Sequence, residues 1–340
     1  MRLFASWEQL LLGLYRNLAD CFLQPNLHRF LQEKFSNLSV ASEAIITPYN
    51  DSLLRLKNGE LPFMSASVEI ICIGTELLMG KTLNTNAHWL AKRITTLGLT
   101  VHHITNIADD IDEISSILRE ALQRKPRFII TTGGLGPTFD DKTLEGIAKG
   151  LGRKIKVNND ALKMIEKTYS KIAEERLMDK IELTPPRVKM AKLPEGAKPL
   201  PNPIGTAPAV LTKHEGTTII ALPGVPSEME AIFEESVAQL LKKAAGDATF
   251  FETSINVTGI MESAIAPLID QVMHDNPYVY IKSHPSREGE QKPRLELHLT
   301  TTAKDLKLAK NRVGKALIEI TELVQQKGGK TRSSGEVKEA

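Results

Sequence analysis

The sequence predicts an α/β protein, with a mostly parallel sheet covered by helices and a smaller α+β unit behind it. Three observations carry this. Short apolar runs at VEIICIG (68–74), LTVHHIT and RFIITT (127–132) are each followed by a segment of helical periodicity. That alternation is what a parallel sheet with crossover helices requires. The chain after residue 250 changes rhythm to strand, helix, strand, strand, helix. Finally, the least regular and most glycine-rich loops follow the first and third apolar runs, at the strand ends where open parallel sheets bind ligands.

VEIICIG is a compact apolar strand that stops at Gly74. NTNAHWLAKRITTLG (84–98) reads as a helix, with Asn84 as its N-cap and Trp89, Leu90, Ile94 and Leu97 as its packing face. Gly98 ends it and LTVHHIT forms the next strand, in which His102 and His103 point to opposite faces and cannot share a ligand. DDIDEISSILREALQRK opens on carboxylates and closes on Arg and Lys, as a helix dipole favours. RFIITT is the third strand, and Cys72, within the first, reads as a core residue rather than a nucleophile. Asp141 to Leu151 and Asp160 to Glu175 read as helices, and 178–205 is Pro- and Lys-rich with few regular signals. APAVLT and TTIIALP are neighbouring strands turning at His214-Glu215-Gly216, and Pro226 to Leu241 is amphipathic helix. In the tail unit, Lys282 and His284 end a strand before a polar loop.

The 340 residues fit two or three domains at roughly 100–200 residues each. The boundaries expected are an N-terminal extension at 1–66, a main domain at 67–245, a small α+β domain at 250–325 and a disordered tail at 326–340. The extension is a helical appendage, a loosely ordered segment, or chain preceding a true start at Met64. Lys and Arg number 43 and Asp and Glu 41, a balance that excludes a strongly basic nucleic-acid binder and an acidic disordered chain. Two cysteines, Cys21 and Cys72, make neither a disulfide framework nor a four-thiolate zinc site. No apolar run reaches the roughly 18 residues of a membrane span, so the expectation is a soluble cytoplasmic protein with no membrane or nucleic-acid partner.

The loops carry the chemistry. In TTGGLGPTFDD, Gly133, Gly134 and Gly136 allow backbone amides to approach a phosphate closely. Asp140 and Asp141 follow at once. Carboxylates beside a phosphate repel it unless a cation such as Mg²⁺ intervenes or one of them holds a ligand hydroxyl; a helix cap and turn is the plainer alternative. The loop is neither GxGxxG nor a P-loop. GTELLMG supplies Glu76, able to bind a cation, accept a ligand hydrogen bond or activate water, and Thr75, an anion donor or a cap. Asn84 and Asn86 hold the loop or meet the ligand. NPIGTAP and ALPGVPSEME give two restricted turns, with Gly205 and Gly224 for close approach and Ser227 and Glu228 at a helix start. Glu228 either binds a metal or stabilises the helix end.

Taken in order, GTELLMGKTLNTN, TTGGLGPTFDDKTLE, AKLPEGAKPLPNPIGTAPA and ALPGVPSEME resemble the motif loops of the CinA family. The resemblance covers about residues 67–245, a molybdopterin-binding-like domain similar to those of molybdenum-cofactor biosynthesis proteins. The segment 250–325 looks like the small domain of archaeal CinA-like proteins. It implies a three-layer α/β domain and a homodimer. The nicotinamide-mononucleotide deamidase domain of some members is not supplied by the residues after Glu230, so that activity is not carried over. The resemblance also implies a metal-dependent ADP-ribose pyrophosphatase, and Glu76, Asp140, Asp141 and Glu228 match acidic positions of its loops.

Three functional expectations follow. In the first, a divalent metal (Mg²⁺, Co²⁺ or Ni²⁺) held by Asp141 and Glu228 neutralises phosphate oxygens. Glu76 or Asp140 orients water, and Thr75, Gly133, Gly134, Gly136, Gly205, Gly224 and Ser227 bind the ligand as ADP-ribose is cleaved to AMP and ribose 5-phosphate. In the second, the same loops hold a molybdopterin-like or nucleotide ligand without turnover. A degenerate pocket on an interaction protein is the third and least economical reading.

Overall fold

A computed structural model describes residues 66–175, 182–286 and 294–333, all within the unit Met64–Ala340. The N-terminal extension with its proposed helices, the start at Met64, most of the loop after His284 and residues 334–340 lie outside the described residues.

The first strand, β1 (Ser67–Ile73), is almost wholly buried, as a central parallel strand must be. The short helix α1 (Thr75–Leu78) follows it directly. Helix α2 (Thr85–Thr96) starts on Asn84, whose side chain accepts from the Ala87 N–H, as the sequence requires of an N-cap. Strand β2 (Thr100–Ile107) leads to α3 (Ile111–Gln123), capped by Asp110, which accepts from the N–H groups of Asp112 and Glu113. Strand β3 (Phe128–Thr132), helix α4 (Thr143–Gly150), the short strand β4 (Ile155–Val157) and helix α5 (Asn159–Glu175) come next.

The Pro/Lys-rich stretch is more regular than its composition suggests. It forms helix α6 (Pro185–Lys189) and strands β5 (Lys192–Pro194) and β6 (Lys198–Leu200), each too short for periodicity to reveal. Strands β7 (Ala209–His214) and β8 (Thr217–Leu222) pair as the expected hairpin. Helix α7 (Pro226–Ile232) continues through a π-helical turn (Phe233–Val237) into α8 (Ala238–Ala245).

The main sheet has the order β2-β1-β3-β8-β7-β6. The first four are parallel, while β7 and β6 run antiparallel. Alternation along β1 feeds two cores. Val68, Ile70 and Cys72 face Leu90 and Ile94 of α2 and Phe233 of the π turn, whereas Ile71 and Ile73 face Ile114, Leu118, Ile147 and Ile165 on the other side. The result is three layers. Each fully buried isoleucine contributes about 1.5–3 kcal/mol. Trp89 is a packing residue, edge-on to Phe233 at 5.2 Å between ring centres. Cys72 is buried, and burial pushes its thiol pKa up, which suits a core residue and not a nucleophile.

The C-terminal unit runs β9 (Thr249–Thr258), α9 (Glu262–Asp275), β10 (Tyr280–Ser286), β11 (Arg294–Ala303), α10 (Leu306–Gln326) and β12 (Lys330–Ser333). Its four-stranded antiparallel sheet has the order β10-β11-β9-β12, a split βαβ arrangement. Leu295, Leu297 and Leu299 pack with Ile265, Ile269, Val313 and Ile320 of the two helices. Strand β12 lies beyond residue 326, where the sequence reading began the tail. His284, singled out beside Lys282, lies edge-on to His298 of the neighbouring strand at 4.9 Å.

Candidate ligand site at the sheet's carboxyl edge

The loops leaving β1, β3 and β8 meet because two glycines let backbone pass backbone. Gly133, at φ +106°, follows β3, and its N–H donates to the Leu222 carbonyl at the end of β8 (3.0 Å). A Cβ on Gly224 would touch the Gly133 Cα at 3.3 Å. The Gly74 N–H in turn donates to Ile107 O at the end of β2 (3.0 Å). Thr143 Oγ donates to Gly133 O (2.8 Å), tying the glycine turn to the start of α4.

Asn86 braces this junction from α2. Its Nδ2 donates to Thr132 Oγ (2.9 Å) and Gly224 O (2.8 Å), and Thr132 Oγ donates to Pro223 O (2.8 Å). The Asn86 Oδ1 is buried without a partner among the described residues.

Every predicted site residue lies on a loop or at a helix start at one end of the sheet, but the acids are not gathered at one point. Glu76 is exposed on α1 and its carboxylate folds back over Gly74, where a Cβ would sit 2.4 Å from Oε1. Thr75 is committed: its N–H and hydroxyl both donate to Asp109 Oδ2 (2.8 and 3.0 Å). Asp141 turns into its own loop and accepts from the Thr138 N–H (2.7 Å), its carboxylate lying over Gly136. The Thr138 Oγ lies 2.5 Å from both Asp140 Oδ1 and Asp141 Oδ2 and can donate to one at a time. The Thr138 hydroxyl, the Asp140 backbone N–H and then the charges of Lys189 and Lys142 hold the Asp140 carboxyl below the usual range. Glu228, at the start of α7, accepts from Asn202 Nδ2 (2.6 Å) and lies over Gly205, whose N–H donates to Asn202 Oδ1 (2.7 Å). Ser227 is exposed beside it. Among the described residues, no group of three or more His, Cys, Asp or Glu side chains is placed to hold a metal ion.

What the glycine turn offers is donors. Among the described residues the amides of Gly134, Leu135 and Gly136 have no hydrogen-bond acceptor. They border an open hollow also lined by Asp141, Lys189 and Lys192. The Lys189 ammonium donates to the carbonyls of Thr138 and, at 2.7 Å, of Asp141, so its charge stands at the base of the loop. This meets part of the repulsion that the sequence posed for Asp140 and Asp141. Around the same edge Leu78, Met79, Leu83, Phe139, Ile204 and Val225 are exposed.

Sequence reasoning missed Asn202, Thr138, Asp109 and Lys189. Only Asn202 gave a usable signal, through its place in the NPIG turn; the others are common residue types whose partners lie on other loops or turn back on their own.

The matching family model, described as "Probable molybdopterin binding domain", spans residues 69–243. A protein of Sulfurisphaera tokodaii is 44% identical over 261 residues, covering 77% of this chain and 96% of that protein. One from Aeropyrum pernix is 43% identical over 260 residues, covering 76% and 94%. A crystal structure of CinA from Thermoplasma acidophilum, described there as of unknown function, is 40% identical and covers 52% of this chain and 98% of that one, with a TM-score of 0.47. Among the described residues no helix is long and apolar enough to cross a membrane. The chain belongs to the molybdopterin-binding domain family and carries the motif loops of its CinA-like members.

Proposed function

We propose that the main domain is a binding module for an anionic ligand that joins a phosphate to a flat ring system, a molybdopterin-like compound or a nucleotide, and holds it without cleaving it. The observation that carries this reading is the row of unpaired amides at Gly134, Leu135 and Gly136 beside Lys189 and Lys192. Successive backbone N–H groups with nearby ammonium charge suit phosphate oxygens. The exposed apolar rim suits an aromatic ring more than a sugar. The buried acceptor of Asn86 offers one further hydrogen bond to a ring N–H or hydroxyl at the loop junction.

The pyrophosphatase reading receives less support. Asp141 and Glu228, its metal ligands, are each satisfied by a neutral donor and sit on separate loops. Calorimetric titration of the full chain with AMP, ADP-ribose and molybdopterin, with and without EDTA, tests the proposal. Binding unaffected by EDTA and no AMP formed from ADP-ribose is the expected result. Release of AMP and ribose 5-phosphate only with Mg²⁺, Co²⁺ or Ni²⁺ would replace the binding module with the hydrolase.

A further inference from the structure

We propose that His284, Glu296 and His298, on the open face of the C-terminal sheet, bind a divalent metal ion of the zinc class, with Glu252 and Ser254 fixing two of the three ligands from behind. This site is separate from the glycine turn and does not depend on the ligand reading.

Strand parity puts the three side chains together. On β11, Leu295, Leu297 and Leu299 enter the core shared with α9 and α10, so Glu296 and His298 project from the opposite face. On β10, Ile281 takes the core side and leaves His284 on that same open face. The antiparallel register sets His284 directly opposite Glu296, with His298 on the adjoining diagonal.

The two ligands on β11 are already oriented. His298 Nδ1 lies 2.9 Å from Glu252 Oε1 on β9. An ionised carboxylate only accepts, so Nδ1 carries the hydrogen. A neutral ring then presents the lone pair of Nε2, which faces Glu296 Oε2 at 3.5 Å. The other oxygen, Glu296 Oε1, accepts from the Ser254 hydroxyl at 2.8 Å. Two electron-pair donors thus face each other and call for a cation between them. An ion with tetrahedral bonds of about 2.1 Å sets its donors about 3.4 Å apart and the centres of two bound imidazoles about 5 Å apart. The Nε2–Oε2 separation of 3.5 Å and the 4.9 Å between the His284 and His298 ring centres match both. A proton on Nε2 would also reconcile His298 with Glu296, but it gives His284 no part. An imidazole whose second nitrogen is held by a carboxylate is the arrangement that metal-bound histidines adopt.

The third ligand has to turn. As the side chains stand among the described residues, three donors do not converge on one point. His284 is exposed, and rotation about its two side-chain bonds brings a ring nitrogen to the other two donors. Lys282, opposite His298, and Arg332, across Asn256 from Glu296, add positive charge to this face. The carboxylates of Glu252 and Glu296 offset it. Two imidazoles and one carboxylate select zinc, nickel or copper over magnesium, whose hard ion takes oxygen ligands. An ion held this way pins β10 to β11 and keeps a coordination position open to solvent or an anion.

The test uses the full chain, stripped of metal with EDTA. Calorimetric titration with zinc chloride near neutral pH should show a site that magnesium chloride does not fill. Glu252→Gln should weaken zinc binding about 10–100-fold although Glu252 does not touch the ion, and His284→Gln, Glu296→Gln and His298→Gln should each weaken it at least as much. Because His284 is exposed, His284→Gln should leave the melting temperature of the metal-free protein unchanged. In the unaltered protein, imidazole NMR spectra should show zinc moving the His284 and His298 signals before those of any other histidine, a readout that needs no variant to fold. Absence of zinc binding, binding indifferent to the His284, Glu296 and His298 changes, magnesium filling the site as well as zinc, or a His284 signal that zinc does not move would each overturn the proposal.

Discussion

A Cβ atom on Gly133 would lie 2.0 Å from the carbonyl oxygen of Ile73. The end of β3 therefore crosses the end of β1 at a distance only a glycine permits, and its φ of +106° adds a second bar to any side chain. Gly133→Ala must move backbone, not a rotamer. We expect a loss above the roughly 1–3 kcal/mol of backbone strain alone, read as a lower denaturant midpoint. A midpoint equal to that of the unaltered protein would refute this account of the junction.

Gly205 gives the milder contrast. There an added Cβ would meet Glu228 Oε2 at 2.1 Å and Asn202 Nδ2 at 2.6 Å, the free ends of side chains that can swing away. Gly205→Ala should cost less stability than Gly133→Ala while breaking the Asn202–Glu228 hydrogen bond. Adding Glu228→Ala should then change little more, so a double-mutant cycle on thermal stability should show strong coupling. Simple additivity would mean that the two residues do not share this contact.

Asn86 donates to acceptors on two other elements, Thr132 and Gly224. Asn86→Ala should cost about 1–3 kcal/mol through the acceptors it abandons. Asn86→Asp should cost more, because a carboxylate would face the Gly224 carbonyl at the same distance. Chemical denaturation of both variants checks the order, and an Asp variant as stable as the parent would contradict it.

Arg124 forms a two-pronged pair with the buried Glu69, at 2.8 and 2.7 Å. The Glu69 side chain is 4% exposed and the Arg124 side chain 41%. Arg124→Ala leaves a buried carboxylate with, among the described residues, only the His103 imidazole as a nearby basic group, at 3.5 Å, and should cost about 2–3 kcal/mol after allowance for the half-open guanidinium. Replacing both partners by apolar residues, Glu69→Leu with Arg124→Met, should recover most of the loss in the same unfolding measurement. No recovery would place the cost in packing instead of charge.

Acid should destabilise the protein through a few named carboxyls. The Asp110 carboxyl is held low first by the Glu113 N–H, Asp140 by the Thr138 hydroxyl, Glu195 by Lys156 and Glu296 by Ser254. Each carboxylate is favoured in the folded state, so its contribution is complete above the unfolded carboxyl pKa of about 4 and is lost as pH falls through the lower folded one. Melting temperature should accordingly change little on account of these groups between pH 5 and 7, taken as roughly the upper carboxyl limit and neutrality, and drop below that range. Asp110→Asn keeps a capping oxygen but cannot titrate this way, and should flatten the drop. An unchanged acid slope in that variant would remove Asp110 from the account.

The sequence alone determined the strand–helix order, the Asn84 cap, the hairpin at His214–Gly216 and the loops that carry the ligand chemistry. Each is a local matter, settled by apolar period, by a capping side chain three residues from its donor, or by a glycine run after a strand. The short strands β5 and β6 escaped because three residues hold no period. Only the tertiary structure decided where the acids point. Glu76, Asp141 and Glu228 read as free ligands in a linear chain, yet in the fold each lies against a glycine, and Asp141 and Glu228 are also held by a neutral donor. The partner that turns Glu228, Asn202, is 26 residues away, and Lys189, which reaches the carbonyls of the glycine turn, is about 50 away; no pattern in sequence encodes a contact over that separation, whereas Asp141 and Glu76 turn back onto their own loops.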